Sequence, residues 1–229
     1  MAFKNILSWP SQSLKKKSAP VVEFNDDLRS LVGDLYDTLN VVSGVGLAAP
    51  QIGVHQRCVI IDTSQCQIEN QHPIEGLPEN IMAIVNPKLT LSGPKHKWME
   101  ACLSVPDSKG MVERSQHVSL EFQDISGGSH VIDLDWPASG VVQHECDHLD
   151  GILYVDRMGR LSKDMLLKKI VKKRKKMAEV RKMMKAQEEK DLAAIDGTSG
   201  PAKRKTTSSK KRRKRPPKKN HLNKKRRKK

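Results

Sequence analysis

The last 31 residues of the chain cannot contribute to a folded core, and this limits where a fold can form. From Ser199 to Lys229 there are 17 Lys+Arg, no Asp or Glu and no aromatic residue. Such a stretch buries too little apolar surface to offset the entropy lost on ordering, so it is expected to be disordered on its own. The rest of the charge is divided just as unevenly. Residues 1–160 hold 13 Lys+Arg against 20 Asp+Glu, a net of −7; residues 161–229 hold 29 against 6, a net of +23. A mildly acidic body (1–160), a basic amphipathic helix (161–192) and a Lys/Arg-rich tail (193–229) are expected. The four cysteines at irregular spacing do not form a secreted disulfide framework, which favours a reducing compartment. No apolar run approaches the roughly 18 residues needed to cross a bilayer, and Met1–Pro10 lacks the apolar core of a secretory signal. A cytoplasmic protein with no membrane partner is the expectation.

The body reads as α+β. Asn25 is a good helix N-cap, followed at helical spacing by Leu28, Leu31, Val32, Leu35 and Leu39. Arg57–Asp62 and Ile84–Leu91 read as strands. Val118, Leu120 and Phe122 alternate with polar residues, and Val131–Leu134 resumes after Ser126-Gly127-Gly128-Ser129, which predicts a hairpin. A further helix starts near Pro137, runs through Val141, Val142, Cys146 and Leu149, and stops at Gly151. In the basic helix, Leu166, Ile170, Met177, Val180 and Met184 leave one apolar stripe among cations.

The chemistry is concentrated in Gln143-His144-Glu145-Cys146-Asp147-His148. His144 and His148 stand four apart, so on a helix both imidazoles leave one face and suit one metal ion. Glu145 is turned about 100° away, placed to take a proton rather than to ligate. Cys146 points to the opposite side and reads as a buried structural thiol. A third ligand is needed, and the usual zincin extension is missing after Gly151. Cys102, in Glu100-Ala101-Cys102-Leu103-Ser104, offers a thiolate, although a lone cysteine near a loop is more often structural. Gly44-Val45-Gly46-Leu47-Ala48-Ala49-Pro50-Gln51 permits close backbone approach to a ligand; with no Lys-Ser/Thr pair after the glycines, it is not a phosphate-binding loop.

In this order and at these separations, the three stretches resemble the signatures of the peptide deformylase family: Gly-apolar-Gly-apolar-Ala-Ala-x-Gln, Glu-Gly-Cys-Leu-Ser and Gln-His-Glu-x-Asp-His. The resemblance spans roughly residues 5–160. It implies a fold of small mixed or antiparallel sheets around a central metal-binding helix, with a basic C-terminal helix and a disordered tail. It implies Cys102, His144 and His148 as metal ligands and Glu145 as the general acid/base. Gln51 and the Leu103 N–H become the oxyanion donors. Glu100, a support for the ligands, is counted with Gly44, Val45, Gly46, Ala101 and Val141 along the substrate; Trp98 reads more readily as core. The metal implied is iron(II), with zinc, nickel or cobalt as alternatives, a range that a thiolate–imidazole set tolerates.

By the same resemblance, a monomeric enzyme removes the formyl group from N-formylmethionine of nascent peptides. The metal acidifies a water, Glu145 takes its proton, and the peptide lies extended beside Gly44–Gly46. Residues 161–190 look like the basic helix by which family members dock on the ribosome. Ala101 stands where the family usually has glycine. It costs about 1 kcal/mol if that position needs positive φ, and almost nothing if it is extended. Lys109 stands where many members carry arginine. An endoprotease of the H-E-x-x-H kind would leave Cys102 without a role, and a nucleic-acid-binding protein with a lapsed body would not keep the ligand set. The runs Lys210–Arg215 and Lys224–Lys229 also look like nuclear-localisation sequences, a poor context for deformylation.

Overall fold

The computed structural model describes residues 3–69 and 72–196; the tail beyond, including both basic runs, lies outside the described residues. Helix α1 (Asp26–Val42) begins where Asn25 Oδ1 accepts from the Asp27 and Leu28 amides, the capping its sequence predicts. Five strands follow: β1 (Gly46–Ala48), β2 (Cys58–Asp62), β3 (Ile81–Cys102), β4 (Val105–Gln123) and β5 (Ser129–Leu134). They form one sheet in sequential order, every neighbouring pair antiparallel. The architecture is therefore α+β, but with one antiparallel meander rather than the several small sheets expected. Each strand turns back beside its predecessor, and no crossover is present to make a parallel pair. Within the strands, that geometry is strict; the one parallel contact among the described residues is an isolated bridge, Ala19 to Gln56.

Side-chain alternation along the strands sorts residues between two faces. Cys58 and Ile60 of β2 join Leu28, Leu31, Val32, Leu35 and Leu39 of α1 in one core. Val59 and Ile61 face the other way, into a core shared with Val142, Cys146 and Leu149 of α2 (Ala138–Leu149). The sheet is thus covered on one side by the capped helix and on the other by the His-Glu-Cys-Asp-His helix.

β3 and β4 are far longer than their sequences predict. Residues 88–99 are mostly exposed, and Gly93-Pro94 resembles a turn, yet the strands pair from Val85–Gln123 down to Cys102–Val105. Irregularities between Ser92 and Lys95, at Gly93 with φ +73, and between Ala101 and Cys102 bend the ribbon without breaking it. Its lower end meets a third core of Leu14, Cys102, Val105, Val112, Leu153, Tyr154, Val155 and Ile170. Tyr154 and Val155 belong to the single-turn α3 (Tyr154–Arg157). Ile170 belongs to α4 (Arg160–Asp196), four residues longer at its end than expected. The compact unit runs to Ala178. From Glu179 the chain forms a separate unit, helical through Asp196 and exposed through Leu192. No described helix is long and apolar enough to cross a membrane.

The end of α2 depends on one glycine. Gly151 has φ +72, and a Cβ there would lie 2.4 Å from the Lys15 carbonyl oxygen. Gly151→Ala is expected to cost about 2 kcal/mol or more, from left-handed strain and the clash together. A fall in the urea midpoint checks it; an unchanged midpoint refutes the role.

Candidate metal centre and active-site cleft

Three segments remote in sequence meet at one cleft of about 530 Å³. The β1 edge supplies Gly44, Val45 and Gly46, followed by Gln51 in a 3-10 turn (Ala49–Ile52). The end of β3 and the two-residue turn to β4 supply Trp98, Glu100, Ala101, Cys102 and Leu103. Helix α2 supplies Val141, His144 and Glu145, with His148 one turn deeper and 1% exposed.

The donor atoms of Cys102, His144 and His148 lie within 4.8 Å of one another, with Cys102 Sγ 3.2 Å from His148 Nε2. One sulfur and two imidazoles are a donor set that binds first-row divalent ions. The His144 ring is already oriented to ligate, because its Nδ1 bonds Glu100 Oε2 at 2.6 Å and leaves Nε2 for an ion. Two buried polar atoms, Glu145 Oε2 and His148 Nδ1, have no hydrogen-bond partner. A buried carboxylate oxygen left in that state is costly, and it marks where a water or substrate atom belongs. The residues present fit a metal ion.

Electrostatics point the same way. Burial opposes ionisation of Glu100, yet hydrogen bonds from His144 and Arg114 outweigh it and draw its pKa down to about 2. Burial also opposes charge on His144, but Cys102, Glu100 and Glu145 hold it protonated. A field that retains a proton there favours a metal cation in its place. Burial, then the cations His144 and Arg114, keep His148 neutral, as a ligand must be. Glu145, desolvated beside Glu100 and only partly relieved by His144, rises to about 7, where it can both accept and release a proton near neutrality.

Gln51 is held from both ends. Its Oε1 accepts from the Ala48 amide at 2.8 Å, and its Nε2 lies 3.2 Å from Ser104 Oγ and 3.8 Å from Cys102 Sγ. Gly46 passes so near Glu145 that a Cβ would fall 2.9 Å from its Cγ. This is the close approach that the glycine-rich stretch predicts.

The structure places Glu100, Trp98, Ala101 and Lys109. Glu100 borders the cleft but is 3% exposed, and both of its carboxylate oxygens are engaged by Trp98, Arg114 and His144. Trp98 is half-buried: it packs against the third core and also lines the cleft, its Nε1 bonded to Glu100 and its ring edge-on to Trp136. Ala101 is an exposed strand residue without positive φ, so its methyl costs no backbone strain; Lys109, paired with it across the ribbon, is exposed as well.

Sequence reading missed Arg114. It is 3% exposed, bonds Glu100 through Nε and Nη2 at 2.7 and 3.0 Å, and reaches Asp147 Oδ2 through Nη1 at 2.5 Å. Arg157 also bonds Asp147. The one available signal was parity: Gly110, Val112 and Arg114 are alternate, inward-facing residues of β4. Ser104, which accepts from Gln51, was likewise unmarked.

With the geometry in hand, comparison with known proteins places the chain. A family model described as polypeptide deformylase matches residues 3–164. A peptide deformylase of Zymomonas mobilis is 39% identical over 178 residues, 76% of this chain and 97% of its own. A crystal structure of a Legionella pneumophila peptide deformylase superposes with a TM-score of 0.67 at 33% identity, covering 77% of this chain and 98% of its own. A Plasmodium falciparum peptide deformylase solved in complex with an inhibitor gives 0.63 at 30% identity, over 73% and 97%. These are hydrolases acting through a metal centre, and this chain belongs to the polypeptide deformylase family.

Because Arg114 neutralises two buried carboxylates, Arg114→Leu is expected to cost about 3 kcal/mol or more. Lys97→Ala, which removes only the exposed pair with Glu113 at 3.3 Å, should cost under about 1 kcal/mol. Urea denaturation of the two variants checks the contrast.

Proposed function

We propose that this protein hydrolyses the N-formyl group of N-formylmethionine at the start of nascent polypeptides, releasing formate. The observation that carries the reading is Glu145: a buried carboxylate with one unpartnered oxygen, beside the Cys102–His144–His148 cluster and facing the Gly44–Gly46 edge. Cys102, His144 and His148 would hold one divalent ion, with iron(II) the expected one. When bound, the ion supplies Lewis acidity, which makes water a nucleophile near neutral pH. Glu145 accepts the proton of the attacking water and later passes it to the departing amine. As the formyl carbon becomes tetrahedral, charge grows on its oxygen, and the Gln51 amide and the Leu103 N–H donate to it there. Glu100 keeps the His144 ring fixed throughout. The peptide adds to the β1 edge as an extended strand, with Val45 and Val141 against the methionine side chain. The body that performs this chemistry is the compact unit, Met1–Ala178.

Formate release from formyl-Met-Ala-Ser by the metal-loaded enzyme is the direct test. Glu145→Gln is expected to keep its metal stoichiometry and lose at least about a hundredfold in kcat, since only the proton acceptor changes. Wild-type turnover in that variant would remove Glu145 from the mechanism, and cleavage of unformylated peptides would favour an endoprotease.

We also infer that α4 and the tail tether the enzyme to ribosomal RNA. Residues 160–192 carry 13 Lys+Arg against 5 acids, and the tail has no aromatic residue for base stacking. What remains is charge against phosphate, sequence-tolerant and weakened by salt. A chain ending at Ala193 should keep its rate on a short formylated peptide and lose most ribosome co-sedimentation at low salt. Equal binding by the shortened chain would confine the tether to the helix.

A further inference from the structure

Two oxyanion donors work only if both keep their places, yet both lie in short turns. Gln51 is in a four-residue 3-10 turn, and Leu103 is in the two-residue turn between β3 and β4. One N-terminal segment braces them from outside the cleft. The Leu7 amide donates to the Gln51 carbonyl at 2.7 Å, and the Trp9 amide donates to the Ser104 carbonyl at 2.8 Å. The Gln51 side chain meets Ser104 Oγ at 3.2 Å, so the two turns and the segment close into a ring of hydrogen bonds.

Helix α4 holds that segment. Arg174 donates through Nη1 to the Trp9 carbonyl, and its guanidinium lies over the Trp9 ring, 5.6 Å from the centroid. The adjacent Lys173 pairs with Asp107 at 2.9 Å. Asp107 lines the cleft with φ +61, a left-handed conformation that a non-glycine residue keeps only with support. Two consecutive helix residues therefore hold the segment 102–107, Lys173 directly at Asp107 and Arg174 through Trp9, which bonds Ser104. The helix does not need them to stay seated, because Ile170 is 6% exposed and packs, with Leu166 and Leu167, against the core of Leu14, Cys102 and Tyr154.

We propose that Arg174, assisted by Lys173, is a positioning residue for deformylation. By clamping Trp9 it fixes the segment that spaces Gln51 from the Leu103 N–H, and so sets the geometry that receives the formyl oxygen. The inference rests on the deformylase reading above. Arginine suits the position because one planar group can donate to a carbonyl and lie on an aromatic face together. Lys173 contributes less, since its pair with Asp107 is 53% and 67% exposed and screened by salt.

The test uses the full-length, metal-loaded enzyme with two readouts, steady-state formate release and hydrogen exchange of the Leu7 and Trp9 amides. Arg174→Gln is expected to lower kcat about tenfold, with KM and metal content held within about twofold and Trp9 exchange accelerated. Arg174→Lys, which keeps a cation over the ring but loses the planar group that also reaches the Trp9 carbonyl, should recover only part of the rate and leave Trp9 exchange faster than wild type. Lys173→Gln should lower kcat by about twofold at low salt and less at high salt. Lys172→Gln, the same charge change at an exposed neighbour, should leave both readouts at wild-type values. Wild-type kcat in Arg174→Gln, or a lowered kcat with unaltered Trp9 exchange, would overturn the proposal. A wild-type enzyme that releases no formate would instead overturn the deformylase reading, while Trp9 exchange in Arg174→Gln would still decide whether the clamp exists. Should Arg174→Gln not fold, the comparison of Arg174→Lys with Lys172→Gln decides by the same two readouts.

Discussion

The ionised carboxylate of Glu100 is the point on which the site depends. Buried, it would cost several kcal/mol if left alone. It is instead shared between Arg114, Trp98 and His144, which belong to β4, β3 and α2. The shared charge fixes the ring of one candidate ligand and ties α2 to the strand that ends in Cys102. Arg114 then spreads the network to Asp147, and Arg157 of α3 anchors it from the far side. A helix standing over a flat sheet could slide or tilt. One that is bonded through its own polar residues to the β3–β4 ribbon cannot do so without exposing a buried charge.

Within that frame the cleft joins opposites. Its β1 wall is small and passes within contact distance of Glu145, which helps to desolvate the carboxylate. Its other side carries the turn with Cys102 and Leu103, set close to Gln51. Desolvation raises the affinity of Glu145 for a proton, while the paired charges behind it keep Glu100 ionised. Two carboxylates on neighbouring elements thus have different protonation behaviour because one is hydrogen-bonded to cations and the other is not. This division leaves Glu145 able to exchange a proton near neutrality and holds Glu100 as a fixed charge.

The charge asymmetry of the chain reads differently once α4 is placed. Its first half is part of the compact unit: Ile170, Leu166 and Leu167 are packed, and Arg174 and Lys173 are bonded to the body. From Glu179 the helix is a separate unit, with Met183, Met184 and Leu192 exposed among lysines. The expected apolar stripe therefore serves packing only in its first few turns. One helix thus carries in succession residues that pack on the compact unit and a run of exposed cations.

The sequence by itself determined what short-range periodicity can encode. The Asn25 cap, the shared face of His144 and His148, the Glu145 offset and the stop at Gly151 all follow from helical geometry over a few residues. So does the identity of the three motifs. Other features needed the tertiary structure, because their energies come from neighbours far away in the chain. Residues 92–117 form a long ribbon although they look like turns and loops, since strand pairing from both ends overrides weak local preference. Arg114 becomes a buried scaffold only because β4 sets it opposite Glu100 and Asp147. The ambiguity at Ala101 was decided by an extended backbone that no residue type reveals. Cys102, one thiol among four, comes within ligand distance of two histidines only because a two-residue turn ends β3 beneath α2. Burial, pairing register and desolvation are properties of the assembled sheet, and no local pattern carries them.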